Sequence, residues 1–279
     1  MQPQKVLCIH DLSAVGRCSL SVILPTLSAC GVQACALPTA LLSTHTGGFS
    51  IPVKQDTFSF SCAALEHFLA QHLTFDCIYS GYLANPACAN LTQIAYRQNP
   101  DAFYFVDPVL GDHEKAYSFV TSDLIDAMRA LCKKAHYIAP NVTESALLLG
   151  ITPNANPFSK ELAIERMQRL SQTFQTSVIL TGIPMNDGTF ANGILPINES
   201  PKLYRYHALP GAYPGTGDLF ASSWLGLFYQ QYTPQQSIQK AASFVEQAIY
   251  HTKANESRFG VCFESCLHML YNKKGGHLF

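Results

Sequence analysis

Short apolar runs alternate with longer stretches of helical period along most of the chain. KVLCIH (5–10), VQACALP (32–38), DCIYSGY (76–82), AFYFVDP (102–108), HYIAPN (136–141) and SVILTG (177–182) read as strands. Between them, Ser19 to Cys30 (stopping at Gly31), Phe60 to His72, Pro86 to Gln98, Ser122 to Lys134, Glu144–Leu149 and Ser159–Phe174 read as helices. Pro86 suits a first helical turn, where its missing N–H would have no partner in any case. Strands alternating with helices of this length predict right-handed βαβ units on a parallel sheet. After Gly182 the period falls to two. GTFANGILPI (188–197) and KLYRYHAL (202–209) flank a turn-like NESP and predict an antiparallel hairpin. Two helices, near 216–231 and 234–252, complete the pattern. No repeat, low-complexity tract or linker interrupts it, so residues 1–279 read as a single α/β domain.

Polar residues gather just past the strands. Asp11 follows KVLCIH, Tyr82 follows DCIYSG, Asp107 ends AFYFV, Asn141 and Glu144 follow HYIAP, and Thr181 closes SVIL. Ligands of open parallel sheets bind outside the carboxyl ends of the strands, so these side chains predict one binding rim. Singly, each has a plainer reading, Asn141 as a helix cap above all.

Composition narrows the classes. With 279 residues, 48% hydrophobic and 13% charged, the chain has ample apolar content for a large core. Its formal net charge of −1 and scattered cations lack the footprint of a nucleic-acid binder. No 18-residue apolar run suggests a membrane span, and the N-terminal stretch lacks a secretory pattern. The ten cysteines include no CxxC pair, and several (Cys8, Cys30, Cys77) sit in apolar runs. They read as buried reduced thiols, which predicts a cytoplasmic protein. Cys262 and Cys266, near His268, suggest one packed face of a helix better than a zinc site.

PGTGDLFAS (214–222) carries the chemistry. A Walker A loop needs Gly-Lys, and the chain has no such pair. A dinucleotide fingerprint needs an acidic residue about 20 positions on, where this chain offers glutamines. The remaining reading is an anion hole. Gly215, Thr216 and Gly217 let backbone approach a ligand, and the first N–H groups of the following helix face a transferring phosphoryl group. Asp218 beside them can take the proton of an attacking hydroxyl, a task that suits a weak base in a loose transition state. A glycine-rich turn with Asp218 as dipole partner is the plainer reading. VDPVLGD and PNVTE add Asp107, Asp112 and Glu144, carboxylates that predict Mg²⁺ held largely through water.

With GTGDLF, VDPVLGD and PNVTE in this order, and with STHTGG (43–48) and SGY, the chain resembles the pyridoxal (vitamin B6) kinases of the ribokinase-like superfamily over nearly its whole length. The resemblance implies a three-layer sandwich, its central, mostly parallel sheet flanked by helices, with a C-terminal antiparallel hairpin. It implies ATP-dependent phosphorylation of the 5′-hydroxymethyl of pyridoxal, pyridoxamine or pyridoxine. Asp218 would be the base and Gly215, Thr216 and Gly217 the anion hole. Asp107, Asn141, Glu144 and Thr181 would serve the nucleotide, and Asp107, Asp112 and Glu144 the Mg²⁺. Thr46, Tyr82 and His45 would lie at the pyridine ring; His45 alone reads equally as a solvated loop residue, and Tyr82 as a rim aromatic. A K⁺ ion and a homodimer are implied as well. Two positions depart from the family: Asp11 stands where serine is common, facing the ring, and Ala139 replaces the usual threonine before Pro-Asn. The segment 111–118, GDHEKAYS, reads as a lid or as an ordinary loop. A hydroxymethylpyrimidine kinase on the same fold, and a non-catalytic vitamin or nucleotide binder, are the competing readings.

Overall fold

The computed structural model describes residues 2–271 apart from 155, 210, 254 and 255. In chain order its elements are β1 (Lys5–Val15), α1 (Leu20–Ala29), β2 (Gln33–Thr44), β3 (Lys54–Asp56), α2 (Phe58–Ala70), β4 (Cys77–Ser80) and α3 (Pro86–Gln98). There follow β5 (Phe103–Val106), β6 (Gly111–Asp112), β7 (Lys115–Ala116), α4 (Ser122–Cys132), β8 (Tyr137–Ile138), α5 (Val142–Leu149) and α6 (Lys160–Phe174). The last are β9 (Ser177–Pro184), β10 (Phe190–Leu195), β11 (Lys202–Tyr206), α7 (Thr216–Tyr229) and α8 (Pro234–Tyr250). The architecture is α/β, with mostly parallel strands flanked by helices, as the alternating pattern predicts. The chain forms two compact units, Met1–Thr57 with Leu209–Phe279, and Phe58–Ala208.

In the first unit β1 runs parallel to β2, and β3 lies antiparallel to β2. Val6, Leu7, Cys8 and Ile9 of β1 are wholly buried, as are Leu20, Ile23 and Leu27 of α1. The helix α7 packs on both α1 and α8. Trp224 of α7 is fully buried, stacks on Phe228 at 5.3 Å, and donates its Nε1–H to the Pro234 carbonyl at 3.1 Å. That bond gives the polar tip of a buried indole the partner it needs.

In the second unit the strand order is β11-β10-β9-β8-β5-β4. Strands β4, β5, β8 and β9 are parallel, whereas β10 pairs antiparallel with both β9 and β11. The hairpin predicted over 188–209 is therefore the β10–β11 pair. Tyr79, Phe105, Phe158 and Phe174 are the large side chains at the centre of this unit. Gly150 ends α5 at φ 69°, a left-handed cap that glycine adopts without strain.

The structure departs from the sequence reading at three places. β1 and β2 extend well past His10 and Pro38, because polar side chains such as Asp11, Ser13 and Thr39 are buried within them and mask the apolar run. β3 escapes detection because Lys54, Gln55 and Asp56 are all exposed, leaving no alternation to see. Cys262 and Cys266 do not share a helix face. Cys262 lies between two short 3₁₀ turns, Ser257–Phe259 and Glu264–Leu270, and only Cys266 enters one. All ten cysteines are free thiols.

The single tryptophan makes emission a reporter of the first unit. We expect a blue-shifted Trp224 band in the native protein. Phe244→Ala, which empties a fully buried site in α8, should lower the stability read from that band by about 3–5 kcal/mol in urea titration.

Candidate active site

In the first unit, the predicted residues of 214–218 meet the turn after β1. Gly215 sits at φ 80°, where a Cβ would collide with the Arg17 carbonyl oxygen; both its conformation and its crowding require glycine. Gly217 has nothing near the place a Cβ would take. The N-terminus of α7 has no side-chain cap, so the first N–H groups of Thr216, Gly217 and Asp218 have no intrahelical acceptor. Thr216 Oγ1 donates to the Tyr213 carbonyl at 3.1 Å.

Asp218 does not cap its own helix. Its Oδ2 accepts the Ser19 N–H at 2.8 Å, and its Oδ1 lies 3.2 Å from His10 Nε2. Ser19 holds φ 57° and ψ −138°, a strained region for a residue with a side chain, and that conformation aims its N–H at the carboxylate. Asp218 keeps 13% of its side chain exposed, enough to meet a ligand.

His10 was missed by sequence reading, where it served only to end an apolar run. It is 2% exposed, with Nδ1 2.8 Å from Asp11 Oδ1. The Asp11 N–H also lies 3.1 Å from Nδ1. A ring nitrogen cannot both donate to the carboxylate and accept from the amide, and the shorter, charge-assisted contact decides for donation. Burial alone would push the His10 pKa down, but hydrogen bonds and charge from Asp11 and Asp218 outweigh it and raise the value to about 10. The ring is an imidazolium at neutral pH. Asp11 itself lies within β1, at the register shift between His10 and Leu12, and takes a further 3.4 Å contact from Ser13 Oγ.

His45 is buried and far from a solvated loop residue. Its Nε2–H donates to the Arg258 carbonyl at 2.8 Å, and its Nδ1 accepts the Gly47 N–H at 3.1 Å. Burial lowers its pKa, and the ring is neutral with the proton on Nε2. It thus shapes the STHTGG turn, whose Gly47 lies beside Pro214, while Thr46 is exposed.

In the second unit, Tyr82, Asp107, Asn141 and Thr181 lie at or just past the carboxyl ends of β4, β5, β8 and within β9. Asn141 is the cap the plainer reading allowed. Its Oδ1 accepts the Glu144 N–H, and Glu144 Oε2 accepts the Asn141 N–H, a reciprocal capping box. The same pair also braces the next loop: Asn141 Nδ2 donates to the Gly111 carbonyl at 2.9 Å, and Leu110 N–H reaches Glu144 Oε1 at 3.2 Å. Segment 111–118 begins as a tight hairpin, β6 against β7, turning through His113 and Glu114 at φ 47° and 64°. Thr143 Oγ1 ties it down by accepting the Glu114 N–H. Tyr82 packs against Phe119 at 4.6 Å. Thr181 is bridged to Asn141.

The carboxylates expected at Mg²⁺ are unequal. Glu144 is buried with both oxygens engaged by N–H groups. Burial, then the charge of Asp107, pushes its pKa well above the usual carboxylate range. Asp107 is nearly buried, with Tyr79 Oη 3.4 Å from its Oδ2, and Asp112 is about half exposed, at 52%. No cluster of His, Cys, Asp and Glu among the described residues is close enough to hold a metal directly. A donor set of this kind fits a cation held mostly by water and phosphate oxygens.

The model of the phosphomethylpyrimidine kinase family matches residues 24–261. The chain belongs to that family. Among solved structures, this family member is similar to the pyridoxal kinase of Lactobacillus plantarum at 30% identity, with 96% of each chain covered and a TM-score of 0.88. It is also similar to a Bacteroides thetaiotaomicron protein assigned to the phosphomethylpyrimidine kinases, at 31% identity, 97% and 94% coverage and a TM-score of 0.91. A second crystal form of that protein contains pyridoxal. The pyridoxal kinase of Dictyostelium discoideum is 31% identical over 170 residues, covering 56% of this chain and 53% of its own. The chain spans about half the length of such curated relatives. The likeness to pyridoxal kinases agrees with the resemblance in the motifs and with the ribokinase-like fold. No described helix is long and apolar enough to cross a membrane.

Because the His10 pKa is raised on folding, from 6.5 to about 10, its pairing stabilises the fold fully below pH 6.5 and less as pH rises through about 10. The melting temperature of the wild type should therefore fall more steeply between neutral pH and pH 10 than that of His10→Gln. Asn141→Ala, which removes one cap and one brace, should cost about 0.5–2 kcal/mol in thermal melts.

Proposed function

We propose that the chain is an ATP-dependent kinase that phosphorylates the 5′-hydroxymethyl group of a vitamin B6 vitamer. The observation that carries this is the Asp218 carboxylate, fixed by the Ser19 N–H and His10 at the open N-terminus of α7. Asp218 accepts the proton of the attacking hydroxyl as that oxygen bonds to the γ-phosphorus. The bond to the bridging oxygen breaks and ADP leaves. The N–H groups of Gly215, Thr216 and Gly217 stabilise the charge on the transferring group. The loose transition state leaves most of the work to such positioning.

On the nucleotide side, Asn141, Thr181 and Asp107 address the phosphates. Mg²⁺, when bound, supplies positive charge to the phosphate oxygens. Asp107 and Asp112 would hold it, chiefly through water, while Glu144 acts by bracing residues 110–111. Ala139 offers no hydroxyl to that site. On the vitamer side, Asp11, Thr46 and Tyr82 address the ring, and neutral His45 sets the turn that presents Thr46. Residues 1–279 act as one kinase domain, in the cytoplasm and as a homodimer, with K⁺ assisting the nucleotide.

The similarity to a pyridoxal kinase over 96% of both chains, and the pyridoxal in the Bacteroides relative, support a B6 vitamer over a pyrimidine. ATP consumption with Mg²⁺ should be measured in parallel on pyridoxal, pyridoxamine, pyridoxine and hydroxymethylpyrimidine. We expect turnover on a B6 vitamer, and a loss of about 10²-fold or more in Asp218→Ala with ATP binding retained. Turnover confined to the pyrimidine, or a fully active Asp218→Ala, would overturn the reading.

A further inference from the structure

We propose that His10 is a positioning residue for phosphoryl transfer, keeping Asp218 ionised and aimed by placing a positive ring between it and Asp11. The inference rests on Asp218 being the base. Its two ring nitrogens face carboxylates at 2.8 and 3.2 Å, and its side chain is 2% exposed, so water does not screen the group. Two carboxylates sharing such a place repel, and one of them takes up a proton unless a cation sits between them. A protonated Asp218 cannot accept the hydroxyl proton. The imidazolium removes that outcome and also lowers the negative charge that an incoming phosphoryl group meets.

The other groups facing this site do not substitute for it. Cys18, on the turn after β1, has its thiol pushed well up by burial and then by the charge of Asp218 and Asp11, so it stays neutral. His45, past the end of β2, is neutral because burial lowers its pKa, and both of its nitrogens are engaged. Arg17 sends its guanidinium to Glu264 at 2.6 Å. Asp11 from β1 and Asp218 from α7 supply the negative charge, and His10 answers it.

The test compares wild type, His10→Gln, His10→Gln/Asp11→Asn and Asp218→Asn, with pyridoxal and Mg²⁺-ATP, across the acid side of the pH profile. In His10→Gln we expect kcat at neutral pH to fall about 10-fold or more, with KM for ATP within about twofold. The pH of half-maximal kcat should rise by about one unit. Adding Asp11→Asn removes the repulsion and should move that pH back toward the wild-type position. A single variant with wild-type kcat and acid limb, or a double variant whose limb stays displaced, would overturn the role of His10. Full activity in Asp218→Asn would instead overturn the base assignment, whatever the other variants do. Trp224 emission checks folding. Should His10→Gln not fold, ¹⁵N spectra of the wild-type imidazoles decide: two protonated His10 nitrogens at neutral pH are expected, and a neutral ring sinks the proposal.

Discussion

A positive imidazole ring enclosed by two carboxylates, out of reach of water, sets the terms for the first unit. Buried charges are tolerated only when paired and hydrogen-bonded, so the backbone around His10 has to bring both acids to it. β1 shifts register between His10 and Leu12, which lets neighbouring residues pair with each other. Ser19 adopts a strained conformation to give Asp218 a second donor. Gly215 is squeezed against Arg17, so that α7 starts close enough for its first turn to reach β1. Each of these local irregularities would be a defect elsewhere. Here they share one cause.

The second unit solves a different problem with different chemistry. Glu144 is buried and pressed by the charges of Asp107 and Asp112. It is kept in place by N–H groups from Asn141 and Leu110. The capping box thereby acts as a clamp on the hairpin at 111–116, which holds a two-residue turn with neither residue a glycine. The hairpin is held at its base by Asn141 and at its turn by Thr143, and the side chains of His113 and Glu114 stay exposed.

The division between what the sequence disclosed and what it hid follows the source of each signal. Pro86–Gln98 was legible because one face is apolar and the other is not, and the β10–β11 hairpin because the turn-like NESP separates two short runs. Gly215 was legible because the backbone there demands a glycine. His10 was hidden because its partner Asp218 lies far along the chain, and a buried ion pair leaves no periodic trace. The far half of β1 was hidden for the same reason, its inward side chains being polar. Asn141 illustrates a third case: its cap was foreseeable, whereas its grip on Gly111 depended on a loop whose path the pattern does not fix.

The second unit is one continuous run, 58–208, whereas the first is made from both ends of the chain. Ser19 and Asp218, joined by a hydrogen bond, are separated by 199 positions. At synthesis rates of about 5–20 residues per second, roughly 10–40 seconds pass between the emergence of the two. Through that interval α1 lacks the helix that will cover it, and His10 has Asp11 beside it but not Asp218. Residues 58–208 have time to organise as a body of their own while the flanking segments wait. The base arrives about 200 residues after the ring it pairs with, and a nascent chain stopped before α7 holds the ring and one acid without the base.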